Sequence, residues 1–300
     1  MGQTIKSPII WFGGKGNLCP KLLPLIPKHQ IYVEPFGGGA SLLFAKQPSQ
    51  IEVYNDLDDG LYNMFQVIKH KNSCDRLRHT LCFTPNSRYQ YAKSSDEWMD
   101  DTDPVIKACN FLVATRMSFS GHMGSGWNYV VSHVRRGMSS TASRWISFLE
   151  GLPEIHERLQ NVEIFNCDFE YILNQYNDEH TFTYLDPPYV PGTRSQGQYR
   201  CEMNEDGHKR MLEYLLFHFK GMVMLSGYKN EVYSRLEEVH GWERKDFSVA
   251  CDASPRTRTS GILGEGSATR IAPRIESVWR NPKCLDACQK DRNELQYYDE

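Results

Sequence analysis

No apolar run in this 300-residue chain approaches the roughly twenty residues that a membrane-spanning helix needs. The N-terminal stretch also lacks the hydrophobic centre of a secretory signal. The nine cysteines are scattered and odd in number, and the closest pair, Cys284 and Cys288, has no second pair or histidine partner at metal-ligand spacing. Reduced thiols in a cytoplasm (a host's, if the source is viral) are therefore expected, and zinc is not. A large charge excess is missing too. The net charge of −3 excludes a protein that coats nucleic acid by bulk electrostatics. There is no internal repeat and no low-complexity segment. What remains is 40% hydrophobic and 24% charged, ordinary for a globular protein and long enough for one large domain or one domain with an insert.

One further absence is local. Asp96, Glu97, Asp100, Asp101 and Asp103 form an acidic cluster, after which no Asp or Glu occurs until Glu150. The acid-free stretch carries Lys107, Arg116, His122, His133, Arg135, Arg136 and Arg144, and a second basic stretch holds Arg256, Arg258, Arg270, Arg274 and Arg280. Two basic surfaces on an acidic body suit reversible binding of a polyanion, although solvated loops would give the same pattern.

The apolar pattern predicts an α/β fold. Ile31 to Glu34 reads as a strand, followed by a glycine turn from Pro35 to Ser41 and a helix beginning at Leu42. A second strand, Ile51 to Tyr54, precedes a helix with Leu57, Leu61, Met64, Phe65 and Ile68 on one face. The alternation lapses from 72 to 159, where Val105 to Thr115 reads as a helix, Met117 to Gly126 as a loop, Trp127 to Val134 as a strand and Ser143 to Leu149 as helical. It resumes with strands at 162–165, 181–185 and 222–226, helices at 205–219 and 231–239, and closing strands at 247–251 and 275–279. The charged tail beyond Pro282 is expected to be loosely held.

Four places carry chemistry. Asp186-Pro187-Pro188-Tyr189 stops an apolar strand with two prolines, holding an acid and an aromatic at the carboxyl end, where open α/β sheets bind ligands; a plain strand-ending turn reads the same. In Trp11-Phe12-Gly13-Gly14-Lys15 the glycines permit close backbone approach and Lys15 could meet an anion, although a tight turn with a surface lysine would look alike. Asp56 lies about twenty residues beyond the glycine turn, at the ribose-binding position, where a helix cap is the other reading. Asp168 and Phe169 could hold a purine by its exocyclic amine and its face, or could be a cap beside a core aromatic. The glycine turn lacks the third glycine of a dinucleotide site, and no phosphate-binding P-loop is present.

These stretches, with Glu34 to Ser41 and Asn55-Asp56, occur in an order that resembles the Dam-like DNA adenine-N6 methyltransferases from about residue 7 to residue 280. The resemblance implies a Rossmann-like, S-adenosylmethionine-dependent methyltransferase sheet with a smaller, mainly helical target-recognition insert. The catalytic domain would comprise 1–71 and 160–282, the insert 72–159, and the tail 283–300. It also implies that Trp11, Lys15, Phe36, Gly38, Asp56, Asp168, Phe169 and Asp186 contact the cofactor, with Lys15 near its methionine carboxylate. Ala40 stands where a glycine is common. Asp186, Pro187 and Tyr189 would be catalytic, and Arg116, His122, Arg135, Arg136 and Arg144 are expected against double-stranded DNA. The tetrapeptide alone is shared with RNA and protein methyltransferases, and cytosine-N4 relatives more often carry Ser in place of Asp186. GATC-specific relatives carry an Asn-Arg-x-Gly-Phe-Asn-Gly pattern, of which Arg116 to Gly121 keeps only the Arg, Phe and Gly. A target other than GATC, or one read differently, is therefore expected.

Overall fold

A computed structural model describes residues 5–11, 13–121, 123–190, 200–249 and 274–298. The strands in chain order are β1 (Ile31–Glu34), β2 (Ile51–Asn55), β3 (Val134–Arg135), β4 (Met138–Ser139), β5 (Val162–Phe165), β6 (Thr181–Leu185), β7 (Met222–Gly227), β8 (Glu243–Val249) and β9 (Arg274–Arg280). Seven of them form one sheet in the order β5-β2-β1-β6-β7-β9-β8, while β3 and β4 make a separate hairpin. Strands β5 through β7 of that sheet are parallel, and β9 runs antiparallel to both β7 and β8. Every residue of β6 and β7 is buried, as central parallel strands covered on both faces must be.

Side chains alternate between two cores. Phe182, Tyr184, Met222 and Met224 enter one cluster, while Leu185, Val223 and Leu225 enter another on the opposite face. The second face is covered by α8 (Phe169–Gln175), α9 (Glu205–Phe217) and α10 (Glu231–His240). The first carries α1 (Cys19–Leu22), α2 (Ser41–Ala45) and α3 (Asp59–Lys69), whose N-terminus is capped by Asp58 accepting from the Gly60 and Leu61 amides. The segment 72–159 builds outward from α3 with α4 (Lys71–Cys82), α5 (Arg88–Glu97), α6 (Pro104–Arg116) and α7 (Ser140–Leu159). Helix α6 buries almost its whole circumference, because α3, α4 and α5 surround it.

Two expectations are corrected. From Trp127 to Val134 only a Ser118–Trp127 bridge and the start of β3 are strand-like. Tyr129, Val131 and Val134 are exposed, so the β-branched run has no sheet to join. The tail is not loosely held: α11 (Pro282–Tyr298) is capped by Asn281 and buries Cys284 and Cys288 in the main core. The two thiols lie one helical turn apart, and Cys288 donates to the Leu25 carbonyl at 3.4 Å while accepting from Arg280 at 3.7 Å.

A buried ion triad ties α7 to the sheet. Glu52, fully buried on β2, accepts from Lys46 at 2.6 Å and from both terminal nitrogens of Arg158, which also donates to the Leu43 carbonyl at 2.9 Å. Desolvation works against the Glu52 charge, but the Arg158 hydrogen bonds and the Lys46 charge outweigh it and hold the carboxyl below its ordinary range. Removing one member leaves a buried charge undercompensated, so Arg158→Ala should destabilise the fold by about 3 kcal/mol in urea unfolding. A loss below about 1 kcal/mol, the size of an exposed pair, would contradict this.

Candidate active site

The strand order reverses between β1 and β6, which opens a crevice at their carboxyl ends. The turn after β1 is shaped by what it touches. A Cβ on Gly37 would lie 2.2 Å from the Tyr54 ring, and Gly38, at φ +49°, has the Trp11 indole 3.0 Å from where its Cβ would be. Ala40 is left-handed as well, at φ +53°, which explains why glycine suits that position; alanine costs about 1–2 kcal/mol there. Asp56 fastens the turn to β2: one carboxylate oxygen accepts from the Gly38 amide at 2.8 Å and the other from the Asp58 amide at 2.9 Å. Asp58, not Asp56, caps α3. Burial raises the Asp56 carboxyl to about 6 against those backbone hydrogen bonds.

A cavity of about 630 Å³ occupies this crevice, and Trp11, Lys15, Phe36, Gly38, Asp56, Asp168, Phe169 and Asp186 all line it. At one end Phe169 packs against Phe36, with ring centroids 5.4 Å apart, and the Arg210 guanidinium lies 4.8 Å from the Phe169 ring centroid. Asp168 does two jobs, capping α8 through the Glu170 amide at 2.9 Å and accepting from Arg210 at 2.6 Å. The loop before α9 contributes Arg200, which pairs with Asp58 at 2.8 Å and lies 4.2 Å from the Trp98 ring centroid. The sequence marks Arg200 only as part of a polar loop, Val190 to Met203, suited to closing over a substrate; its partners Asp58, Trp98 and Phe111 are far from it in the chain.

At the other end the side chains after β6 meet the N-terminal segment. Lys15 donates to both oxygens of Asp186, at 2.8 and 2.7 Å, and to the Tyr189 hydroxyl at 2.9 Å. Its ammonium is also 3.0 Å from Glu276 on β9, and Tyr189 in turn donates to Glu276. Tyr228 stands edge-on to Tyr189, with centroids 4.5 Å apart. Pro187 is buried and does not line the cavity, whereas Pro188 does. Sequence reasoning missed Glu276. The one available signal was an acid facing inward in the apolar strand Ile275 to Trp279.

A sequence profile of the D12 class N6 adenine-specific DNA methyltransferases matches residues 11–246. The chain belongs to this family. A type II methyltransferase of Lactococcus lactis subsp. cremoris is 30% identical over 277 residues, 87% of this chain and 92% of its own length. Another from Methanocaldococcus jannaschii is 25% identical over 238 residues, 71% of this chain and 80% of its own. The DNA adenine methylase of Escherichia coli is 23% identical over 187 residues, 60% of this chain and 64% of its own.

In this D12-class chain the expected DNA-side residues fall into different settings. Arg135, Arg136 and Arg144 are exposed on the β3–β4 hairpin and the first turns of α7. Arg136 and Gly137 both have positive φ and form the two-residue turn. Arg136 is already engaged by Glu150 through two bonds of 2.9 Å. Arg116 points inward: it donates to the Pro8 carbonyl at 2.6 Å, lies 4.1 Å from the Phe148 ring centroid, and is lowered to about 9 by burial and by Arg144. His122, Arg256, Arg258 and Arg270 lie outside the described residues, and Arg280 is buried and paired with Glu243.

Burial raises the Asp186 carboxyl to about 6; Lys15 opposes the rise and Glu276 adds to it. A carboxylate that must accept a hydrogen bond works only when ionised. The methyl-transfer rate at limiting DNA and saturating S-adenosylmethionine, which reports the DNA-free protein, should therefore fall on the acid side with a midpoint near 6. Saturation with S-adenosylmethionine separates Asp186 from Asp56, whose carboxyl burial raises into the same range but which would act on cofactor binding. A midpoint at the ordinary 3.8 would contradict the assignment.

Proposed function

We propose that this chain transfers a methyl group from S-adenosylmethionine to N6 of an adenine flipped out of duplex DNA. The observation that carries the reading is the single cavity joining the Trp11-to-Lys15 segment, the glycine turn, Asp56, Phe169 and the Asp186 tetrapeptide. The cofactor fits those residues. Each Asp56 oxygen takes one backbone N–H and keeps a lone pair for a ribose hydroxyl. Phe36 and Phe169 offer a purine an apolar wall, and the turn between Pro35 and Ala40 brings bare backbone to the cavity. S-adenosylmethionine supplies an electrophilic methyl on a sulfonium.

The remaining work belongs to the protein. The adenine N6 lone pair is delocalised into its ring and is a poor nucleophile. Asp186 lines the cavity and accepts an N6 hydrogen, localising the lone pair and aiming it at the methyl carbon. The N–C bond forms as the C–S bond breaks, the pair stays on sulfur, and Asp186 is the nearest base for the proton that N6 then sheds. Orientation and a preorganised acceptor provide the acceleration. Flipping costs a few kcal/mol, and stacking on Tyr189 returns about 1–3. Tyr228 and Glu276 hold that ring from its edge and its hydroxyl. Free thiols at the described cysteines suit a reducing compartment such as the cytoplasm.

Single-molecule sequencing of DNA from cells expressing the chain tests the reading. Methylated adenine N6 should recur in one motif, not confined to GATC, and vanish with Asp186→Ala; no signal, or an equal signal from both proteins, ends it. Arg135 should contact phosphate. Arg135→Ala should then reduce the slope of log affinity against log salt by about 1, and Arg136→Ala by less because Glu150 already neutralises it. An unchanged slope for Arg135→Ala excludes the contact.

A further inference from the structure

The arrangement at Asp186 poses a problem for the reaction proposed above. Both carboxylate oxygens accept from Lys15, so each keeps one lone pair and the ammonium competes with the N6 hydrogens for the same acceptor while it stays where it is. Lys15 cannot simply leave. It is buried, and an ammonium there without an anionic partner is strongly disfavoured. Glu276 removes the obstacle. It is itself buried, its Oε1 lies 3.0 Å from the Lys15 ammonium, and it accepts from the Tyr189 hydroxyl. Two carboxylates thus share one lysine. Glu276 lies beyond the residues 11–246 that match the family, so the match gives it no role.

We propose that Glu276 is a positioning residue for methyl transfer, retaining Lys15 when Asp186 turns to the adenine amine and holding the Tyr189 ring against the base. This rests on the proposed function of the same site. With the carboxylate removed, Lys15 and Asp186 become a one-to-one pair, and the lysine is pinned on the group the substrate needs. The Tyr189 hydroxyl keeps an acceptor in Glu276→Gln, so that variant isolates the charge.

The test is single-turnover transfer of labelled methyl to duplex DNA by the full chain, with parallel binding of S-adenosylmethionine and of DNA. Glu276→Gln should lower the transfer rate about tenfold or more while both affinities stay within about threefold. Glu276→Asp keeps the charge at shorter reach and should fall between wild type and Glu276→Gln. The pair Lys15→Met/Glu276→Gln should be no slower than Lys15→Met alone, because without the lysine Glu276 has no cation to hold. A wild-type rate in Glu276→Gln, or losses that multiply in the double variant, overturns the role. Should Glu276→Gln not fold, Glu276→Asp decides, and a wild-type rate there overturns it as well. If the wild-type chain transfers no methyl at all, the proposed function fails and takes this role with it. Transfer by wild type alongside either overturning result removes only the role of Glu276.

Discussion

The buried ammonium of Lys15 is the constraint on which the rest of the site depends. It draws together an N-terminal segment, the end of β6 and the inner face of β9, none of which are neighbours in sequence. An ammonium out of water must have anions, and anions out of water must have a cation, so each of the three segments holds the others in place. The prolines that follow Asp186 then matter less as a stop signal than as a mount. They hold the acid and Tyr189 with little freedom at a position the lysine has already defined. The raised Asp186 carboxyl has the same origin: burial and a second carboxylate work against a single lysine.

The cavity depends on a second arrangement, the glycine turn after β1. Tyr54 and Trp11 occupy the space that side chains at positions 37 and 38 would need, so the turn is pressed between two aromatic rings. Asp56 pulls it toward β2 through the Gly38 amide. One carboxylate therefore both shapes the backbone and faces the cavity. Asp168 behaves likewise, capping α8 while its other oxygen meets Arg210.

What could be read before the structure was whatever announces itself locally. Strand ends, glycine turns and a proline-stopped acid have short-range signatures, and all the cofactor-side residues read from them converge on one cavity. The failures share a cause, which is that their meaning lies in distant partners. Glu276 becomes a site residue only through Lys15. Arg116 was counted as surface charge, yet it lies on Phe148 and bonds the Pro8 carbonyl. Cys284 and Cys288 invited a test for metal spacing, while their one-turn separation was the apolar stripe of a docked helix. Between the Trp127 bridge and β3, Tyr129, Val130 and Val131 are β-branched or aromatic residues without a neighbouring strand, and strand propensity describes packing more than backbone preference.

The chemistry and the recognition surface are built from opposite materials. Around Asp186 nearly every polar group has a buried partner, so a change at one position unbalances several others. The β3–β4 hairpin has only two residues per strand, and most of the stretch 129–139 is exposed, including Val131 and Val134. Its position derives from the start of α7, whose far end is fixed to β2 by the Arg158–Glu52 pair. A firmly held helix carrying a lightly held hairpin can vary in what it contacts without disturbing the sheet. Under the proposed function, target sequence is read by the exposed hairpin, and the buried pairs beneath it keep the methyl-transfer site fixed while that hairpin varies.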